Sequence, residues 1–343
     1  MRALLSWQAI DANHGWHAES ASDADGMPVT LLRGPEQAAP ALFSAAIPSW
    51  TAETPPGSWI EVHLRARIAG RWTGFYRIAR WDDQADDGAR QSFSAQRDAD
   101  GQANTDTLSL AGAADAIQPR VLLYAVGGAQ PVLRALRVAL NAPGEPARRS
   151  AIFAPRELPV PLRSQMAYPH GSRICSPTSV AMLLAYWYAR TGTARLAAFA
   201  DRSAVAQLVA PRVYDPVYDG YGNWSFNTAY AAAQGLDAYV ACFGNLAQLE
   251  PWIAAGVPVV ISAAWKAGEL VNAPIASSSG HLLIVAGFDE SGHVIVADPR
   301  AEREDEVRRI YDAAQLERAW QHSSDGMAYL IYPPAWPVPT LPI

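Results

Sequence analysis

Cys175 is the residue of this sequence best placed for nucleophilic chemistry. It stands just before residues 177–190, an apolar stretch typical of a buried helix, and Pro177 suits a first helical turn because its missing N–H is not needed there. At a helix N-terminus, free backbone N–H groups and the helix dipole favour the nucleophilic thiolate and can hold a developing oxyanion. A small buried thiol is the alternative, and Cys242 fits it because no helix start adjoins it.

His281 and Asp298 can supply the base that a thiol nucleophile needs and a group that orients this base. His281 opens an apolar strand predicted at residues 281–288, and Asp298 ends the returning strand predicted at residues 293–298. A half-buried structural histidine and a turn-capping aspartate before proline are the alternatives. The joint occurrence of the three residues favours a Cys-His-Asp triad.

The register of the predicted hairpin decides whether the base and the carboxylate meet. If the turn keeps Phe288 opposite His293, Asp298 lies opposite Leu283, and residues 281 and 283 share a face because side chains alternate along a strand. A bulge at Gly292 would break this register. Contact between imidazole and carboxylate is therefore a conditional prediction.

The elements around these residues indicate an α+β domain. Further helices are predicted at residues 225–234 and 246–255, and a strand at residues 258–263. Helices followed by a sheet are typical of this class. The proline-rich tail, residues 333–343, is predicted to be a surface extension.

The first part of the chain has a different pattern. Apolar and polar residues alternate at residues 60–68, and shorter strand-like segments are predicted at residues 72–80, 106–110, 120–126 and 132–140. This is typical of an all-β sandwich or jelly roll. Residues 141–150 have the proline and glycine content of a linker. We therefore predict a β-rich accessory domain at residues 1–145 and a second domain at residues 146–343.

Three motifs together resemble the C39-like cysteine peptidases. They are the Cys-Ser-Pro-Thr-Ser segment that opens a helix at Cys175, Gly280-His281 before an apolar strand, and Asp298-Pro299. The resemblance covers residues 156–300. This papain-like family includes the peptidase domains of bacteriocin-processing transporters. The resemblance implies a papain-like fold, a peptide or protein substrate, and a mechanism that needs no metal or other cofactor.

The resemblance also implies a role for each residue of the site. Cys175 attacks an amide carbonyl, His281 passes its proton to the leaving amine, and Asp298 orients His281. Gln165 occupies the place of the family's oxyanion glutamine and would act with the Cys175 amide. The chain departs from the family in having Ser176 where glycine is frequent and a longer gap between Gln165 and Cys175. It also lacks transporter helices and a nucleotide-binding loop, so no peptide exporter is indicated.

An aromatic loop at residues 213–224 lies between the first two predicted helices of the second domain. We expect it to line the substrate cleft, with Trp224 and Tyr221 as substrate-binding walls. Simple anchoring of the loop on the core is the alternative.

Two other functions stay open from the residues alone. One is acyl transfer or amidase chemistry with the same triad, because the cleft selects water or an amine as acceptor. The other is a non-catalytic protein that binds a glycan or a peptide through the N-terminal domain and carries a degenerate peptidase domain. That function would use tryptophans that must be exposed, namely Trp50, Trp59, Trp72 and Trp81.

Composition excludes several classes of partner. A formal net charge of -6 and the absence of a basic run argue against nucleic acid. The longest apolar run, at residues 180–189, is too short for membrane insertion. The first residues turn polar before a signal-length apolar core, so a cytoplasmic location is the default expectation and secretion the alternative.

Overall fold

The described residues fold into two β-sheets, one of 12 and one of 7 strands, with the α-helices in the second half of the chain. The computed structural model describes residues 1–84, 90–125, 128–143 and 155–340. The predicted boundary between residues 145 and 146, and most of the predicted linker, lie outside the described residues. The domain boundary therefore stays a prediction.

The first sheet is formed entirely by residues 4–140. Its strands are β1 (Leu4–Trp7), β2 (His17–Ser22), β3 (Pro28–Arg33), β4 (Gln37–Glu53), β5 (Ser58–Ile68), β6 (Arg71–Trp72), β7 (Tyr76–Trp81), β8 (Gln91–Ser92), β9 (Gln96–Arg97), β10 (Gly101–Asn104), β11 (Thr107–Ala125) and β12 (Val132–Leu140). A short 3-10 helix, Ala12–His14, interrupts them.

The alternation at residues 60–68 forms β5 and buries the predicted apolar face. Ile60, Val62 and Leu64 have no exposed surface. On the opposite, polar face Glu61 is also buried, because arginines of β7 cover and neutralise its carboxylate. The polar face of β5 is therefore partly buried, which the alternation of apolar and polar residues alone did not predict.

One long strand, β11, replaces two predicted strands. The sequence predicts separate strands at residues 106–110 and 120–126 because Gly112, Asp115 and Pro119 lie between them. In the structure, β11 runs through this segment without a break. Its register with β4 shifts twice, between Ser109 and Ala114 and between Ala114 and Ala116. Such bulges let a strand bend and change partners: residues at its start pair with β10 and β4, and residues near its end pair with β3 and β5.

The second sheet and the helices lie between residues 156 and 332. The strands are β13 (Arg156–Glu157), β14 (Asp237–Cys242), β15 (Val259–Trp265), β16 (Ser278–Phe288), β17 (Val294–Ala297), β18 (Arg308–Tyr311) and β19 (Met327–Tyr332). The helices are α1 (Cys175–Thr191), α2 (Ala210–Val213), α3 (Trp224–Ala233), α4 (Glu250–Ala254) and α5 (Ala313–Ser324). Strand order is β14-β19-β15-β16-β17-β18, with β13 beside β16.

Helix α1 is the buried helix predicted after Cys175, and it begins two residues earlier than expected. Its side chains are buried from Ser176 to Trp187. It ends at Thr191 and is capped by Gly192, which adopts a left-handed conformation with φ of 65°. No helix among the described residues combines the length and apolar character that crossing a lipid bilayer requires.

The tail predicted as a surface extension, residues 333–343, is anchored at its centre by one side chain. The Trp336 ring packs edge-on against Trp187, with centroids 4.9 Å apart, and its indole N–H donates to the Ala255 carbonyl. The half-buried Trp336 therefore holds the tail against the second domain, while residues 334, 335 and 337 beside it are exposed. Residues 341–343 lie outside the described residues.

Aromatic and polar contacts join the two sheets. Trp50 of β4 lies edge-on to Phe226 of α3, with ring centroids 6.4 Å apart. The Ser225 hydroxyl donates to the Pro48 carbonyl, and the Val240 N–H donates to the Ser49 hydroxyl. The buried apolar core is continuous across this contact. Trp50 and Trp81 are buried, so neither is available to bind a glycan.

Because Trp50 packs against both halves, Trp50→Ala should weaken both together. We expect a loss of about 3–5 kcal/mol in the free energy of unfolding, the usual cost of emptying a large aromatic site. Urea denaturation followed by tryptophan fluorescence and by far-ultraviolet circular dichroism should give coincident curves. Two separated transitions would contradict a shared core.

Candidate active site

Cys175 is the first residue of α1, and its half-buried thiol lines a cavity of about 520 Å³. The preceding residue, Ile174, provides no side-chain cap for the helix. The backbone N–H of Ser176 donates to the sulfur, as does that of Leu282 on β16. The helix start therefore presents donors to an anion on Cys175, as predicted from its sequence position.

His281 lies on β16 opposite Ala263 of β15, and only 3% of it is exposed. Its Nε2 atom lies 2.7 Å from Oδ1 of Asp298, and the ring also forms a hydrogen bond with the Cys175 thiol. Since Nε2 faces Asp298, Nδ1 is the nitrogen left for the sulfur. The edge of Trp265 packs against the imidazole, with centroids 5.8 Å apart.

Asp298 follows β17 and is fully buried. Its Oδ1 accepts hydrogen bonds from His281 and from the Arg300 backbone N–H at 2.9 Å, and its Oδ2 accepts one from the Tyr311 hydroxyl at 2.6 Å. The sequence reasoning missed Tyr311, because neither β18 nor its pairing with β17 was predicted. A tyrosine at the end of an edge strand carries no signal of this role.

His281 and Asp298 are in contact although the register predicted at the turn is wrong by one residue. Phe288 pairs with Val294, one residue beyond the expected His293, because the turn is one residue longer. A bulge in the middle of β16 then restores the offset. Extending the pairing by one residue past β17 brings Asp298 opposite Leu283, as predicted.

The buried charges reinforce one another. Burial would lower the pKa of His281, but the charge and hydrogen bond of Asp298, with a smaller effect of Cys175, raise it to about 10. Burial would raise the pKa of Cys175, but the hydrogen bond and charge of His281 bring it below its ordinary value. Against the opposing effect of burial, His281 also lowers the pKa of Asp298. The site favours a thiolate, an imidazolium and a carboxylate.

Gln165 is buried beside this site but is not one of the residues that line the cavity. Its backbone N–H donates to the Pro299 carbonyl at 2.8 Å, next to Asp298, and its side-chain amide N–H donates to the Gly171 carbonyl. The side-chain oxygen has no hydrogen-bond partner among the described residues. The structure thus brings Gln165 to the Asp298 turn rather than to the cavity wall.

Both aromatic residues predicted for the cleft, Trp224 and Tyr221, line the cavity together with Cys175. Another part of the cavity wall was not predicted: it is the β10–β11 hairpin of the first sheet, residues 104–107. Nothing near these residues in sequence indicates a site, since they only separate two strands. Their role follows from the packing of one sheet against the other.

Cys242 lies on β14, buried and outside this cavity. Burial raises the pKa of its thiol to about 12. The two cysteines therefore differ in the direction of their pKa shifts, as their sequence contexts predicted.

Two family models match the chain. The Peptidase C39 N-terminal domain matches residues 13–141, and the Peptidase C39 like family matches residues 157–327. The chain belongs to the C39-like peptidase family. The family resemblance found in the sequence is thereby confirmed, and the N-terminal region is part of it.

Solved structures give only weak similarity. A crystal structure described as a C39-like peptidase from Bacillus anthracis aligns at 17% identity and a TM-score of 0.35, covering 51% of this chain and 97% of that chain. Infectious bursal disease virus Gt strain aligns at 9% identity, 40% and 32% coverage and a TM-score of 0.23. A family two carbohydrate esterase from Cellvibrio japonicus aligns at 13% identity, 43% and 38% coverage and a TM-score of 0.19. No curated protein matches the chain.

The two thiols provide an internal comparison of reactivity. At pH 7, iodoacetamide should label Cys175 on the order of 100-fold faster than Cys242, because the thiolate is the reactive form. Quenched samples analysed by peptide mass spectrometry give the two rates in one experiment. Equal, slow labelling of both thiols would contradict the charge state described for Cys175.

Proposed function

We propose that this C39-like peptidase family member is an active cysteine peptidase that hydrolyses peptide bonds with Cys175, His281 and Asp298 as a triad. One observation carries the proposal: His281 forms hydrogen bonds with both Cys175 and Asp298 beside an open cavity. A nucleophile bonded to a base, and a base bonded to an orienting carboxylate, is the arrangement that nucleophilic catalysis requires.

In the proposed reaction, the Cys175 thiolate attacks the carbonyl carbon of a bound peptide and a carbon–sulfur bond forms. The tetrahedral intermediate collapses, the carbon–nitrogen bond breaks, and the imidazolium of His281 gives its proton to the leaving amine. Water then attacks the thioester while His281 accepts its proton. Release of the carboxylic acid regenerates the thiolate, and His281 is again protonated.

The proposed oxyanion site begins at the backbone N–H of Cys175, the first residue of α1. Backbone donors at a helix start are oriented before the reaction and therefore stabilise charge that develops in the transition state. Gln165 remains in the proposal as the second donor. One hydrogen of its amide already serves Gly171, so only the other remains for this role.

The proposal includes a papain-like second domain and a sandwich or jelly-roll first domain. The contact of α1 with β16, which joins the nucleophile helix to the sheet that carries His281, supports the first assignment. The change of partners along β11 supports the second, since strands that change partners can connect two packed sheets.

The charge state of His281 should govern the pH dependence. Activity needs the thiolate and the imidazolium together, so kcat/KM should fall at high pH as His281 deprotonates near its pKa of about 10. Asp298→Asn removes the charge that raises this pKa, so the alkaline limb should move to lower pH. An imidazolium that is less stable also stabilises the thiolate less, so the acid limb should move to higher pH. We expect kcat to fall by about tenfold or more. A pH profile of unchanged width would contradict the role of Asp298.

Cys175→Ala should abolish hydrolysis of a quenched fluorescent peptide library, because no other described thiol reaches the cavity. Cys242→Ala is the matched control and should retain activity, since it removes the other cysteine. Product mass spectra with and without an added primary amine identify the acceptor. Exclusive formation of amine adducts would contradict hydrolysis and favour acyl transfer.

A further inference from the structure

We propose that the tip of the β10–β11 hairpin, residues 104–107, is a substrate-recognition element that the first sheet contributes to the cleft. It binds an extended, uncharged segment of the peptide through polar side chains. This inference rests on the proposed peptidase function and gives the N-terminal region a part in it. Five features of the described residues support it.

The hairpin tip is attached to the helix beside the cavity. The buried carboxylate of Asp106 accepts a hydrogen bond from the backbone N–H of Trp224, the first residue of α3. The Thr107 hydroxyl donates to the same carboxylate at 3.0 Å. Because Trp224 itself lines the cavity, this hydrogen bond fixes the position of the hairpin relative to the aromatic residues of the wall.

The aromatic loop, residues 213–224, is also attached to the first sheet. Asp215 is fully buried and accepts hydrogen bonds from the Ser92 N–H of β8 at 3.1 Å and from the Asn223 side chain at 3.0 Å. Asn223 in turn caps α3 by accepting from the Phe226 N–H. The N-terminal region therefore contributes residues 104–107 to the cavity wall and also holds the aromatic loop in place.

Backbone strain marks the tip of the hairpin. Thr105 has φ of 52°, a left-handed conformation that a β-branched residue rarely adopts and that glycine would adopt without strain. A hydrogen bond from its N–H to the Ser94 hydroxyl, 3.0 Å long, holds it there. Strained residues that persist in a fixed environment concentrate at binding and catalytic sites.

Both walls offer polar groups that have no partner. The exposed side-chain amide of Asn104 and the hydroxyl of Tyr218 form no hydrogen bond with any described residue. The Tyr218 ring lies against Gly220, where a Cβ atom would come within 2.5 Å of it. An amide and a hydroxyl both donate and accept, so they match the N–H and C=O groups of a peptide main chain.

The charges of the described lining residues are already engaged, which indicates an uncharged ligand segment. Asp106 is bonded within the hairpin contact, and Arg173 is paired with Asp219 at 3.1 Å. A charged side chain of the substrate would meet no free opposite charge at this wall. Recognition through neutral hydrogen bonds is therefore the chemistry that the cleft supports.

The test is steady-state kinetics on an uncharged fluorogenic peptide cleaved by the wild type. Asn104→Ala should raise KM about two- to tenfold, the range that loss of one hydrogen bond produces, with kcat within about twofold. Gln102→Ala, on the same strand but outside the cavity lining, is the matched control and should leave KM unchanged. Iodoacetamide labelling of Cys175 should be equal in all three proteins.

A second variant tests recognition rather than stability. Asn104→Asp should shift the preference of the enzyme in a peptide library towards segments that carry Lys or Arg near the scissile bond. A KM for Asn104→Ala equal to that of Gln102→Ala, or a library preference unchanged in Asn104→Asp, would overturn the inference and leave the peptidase function standing. No turnover of any peptide by the wild type would overturn both.

Discussion

The buried carboxylate of Asp298 is the constraint on which the rest of the site depends. A carboxylate removed from water costs several kcal/mol unless charge and hydrogen bonds compensate it. Here the compensation comes from His281 on β16, from Tyr311 on β18 and from the backbone of the turn after β17. These groups meet only when the three strands are paired in register. The carboxylate is thus satisfied by the same sheet geometry that points the imidazole at Cys175.

The contacts of His281 with Asp298 on one side and Cys175 on the other explain why a half-buried cysteine can be anionic. Burial alone raises the pKa of Cys242, and it acts on Cys175 in the same direction. The difference is the imidazolium of His281, which Asp298 keeps protonated. Asp298 therefore stabilises the reacting sulfur indirectly, through the imidazolium that lies between them. The first sheet completes the site by contributing residues 104–107 to the wall of the cavity.

Local sequence rules predicted the parts of the site that depend on short-range geometry. The position of Cys175 before a buried helix, and the strand that carries His281, follow from proline placement and apolar patterning. The prediction that Asp298 lies opposite Leu283 was correct only because two unforeseen features cancel. The turn is one residue longer than expected, and a bulge in β16 compensates for it. The alternation of apolar and polar residues reveals neither feature. Tyr311 and the hairpin at residues 104–107 were missed because their contacts are between distant segments. The position of Gln165 beside Asp298, rather than in the cavity wall, also depends on such packing.

The central claim is that His281 holds Cys175 as a thiolate. Ultraviolet absorbance of the thiolate, recorded against pH in a Cys242→Ala background, measures this without any substrate. We expect the pKa of Cys175 to lie below its ordinary value, and the addition of His281→Ala to raise it above that value because burial then dominates. Identical titration curves with and without His281 would contradict the account.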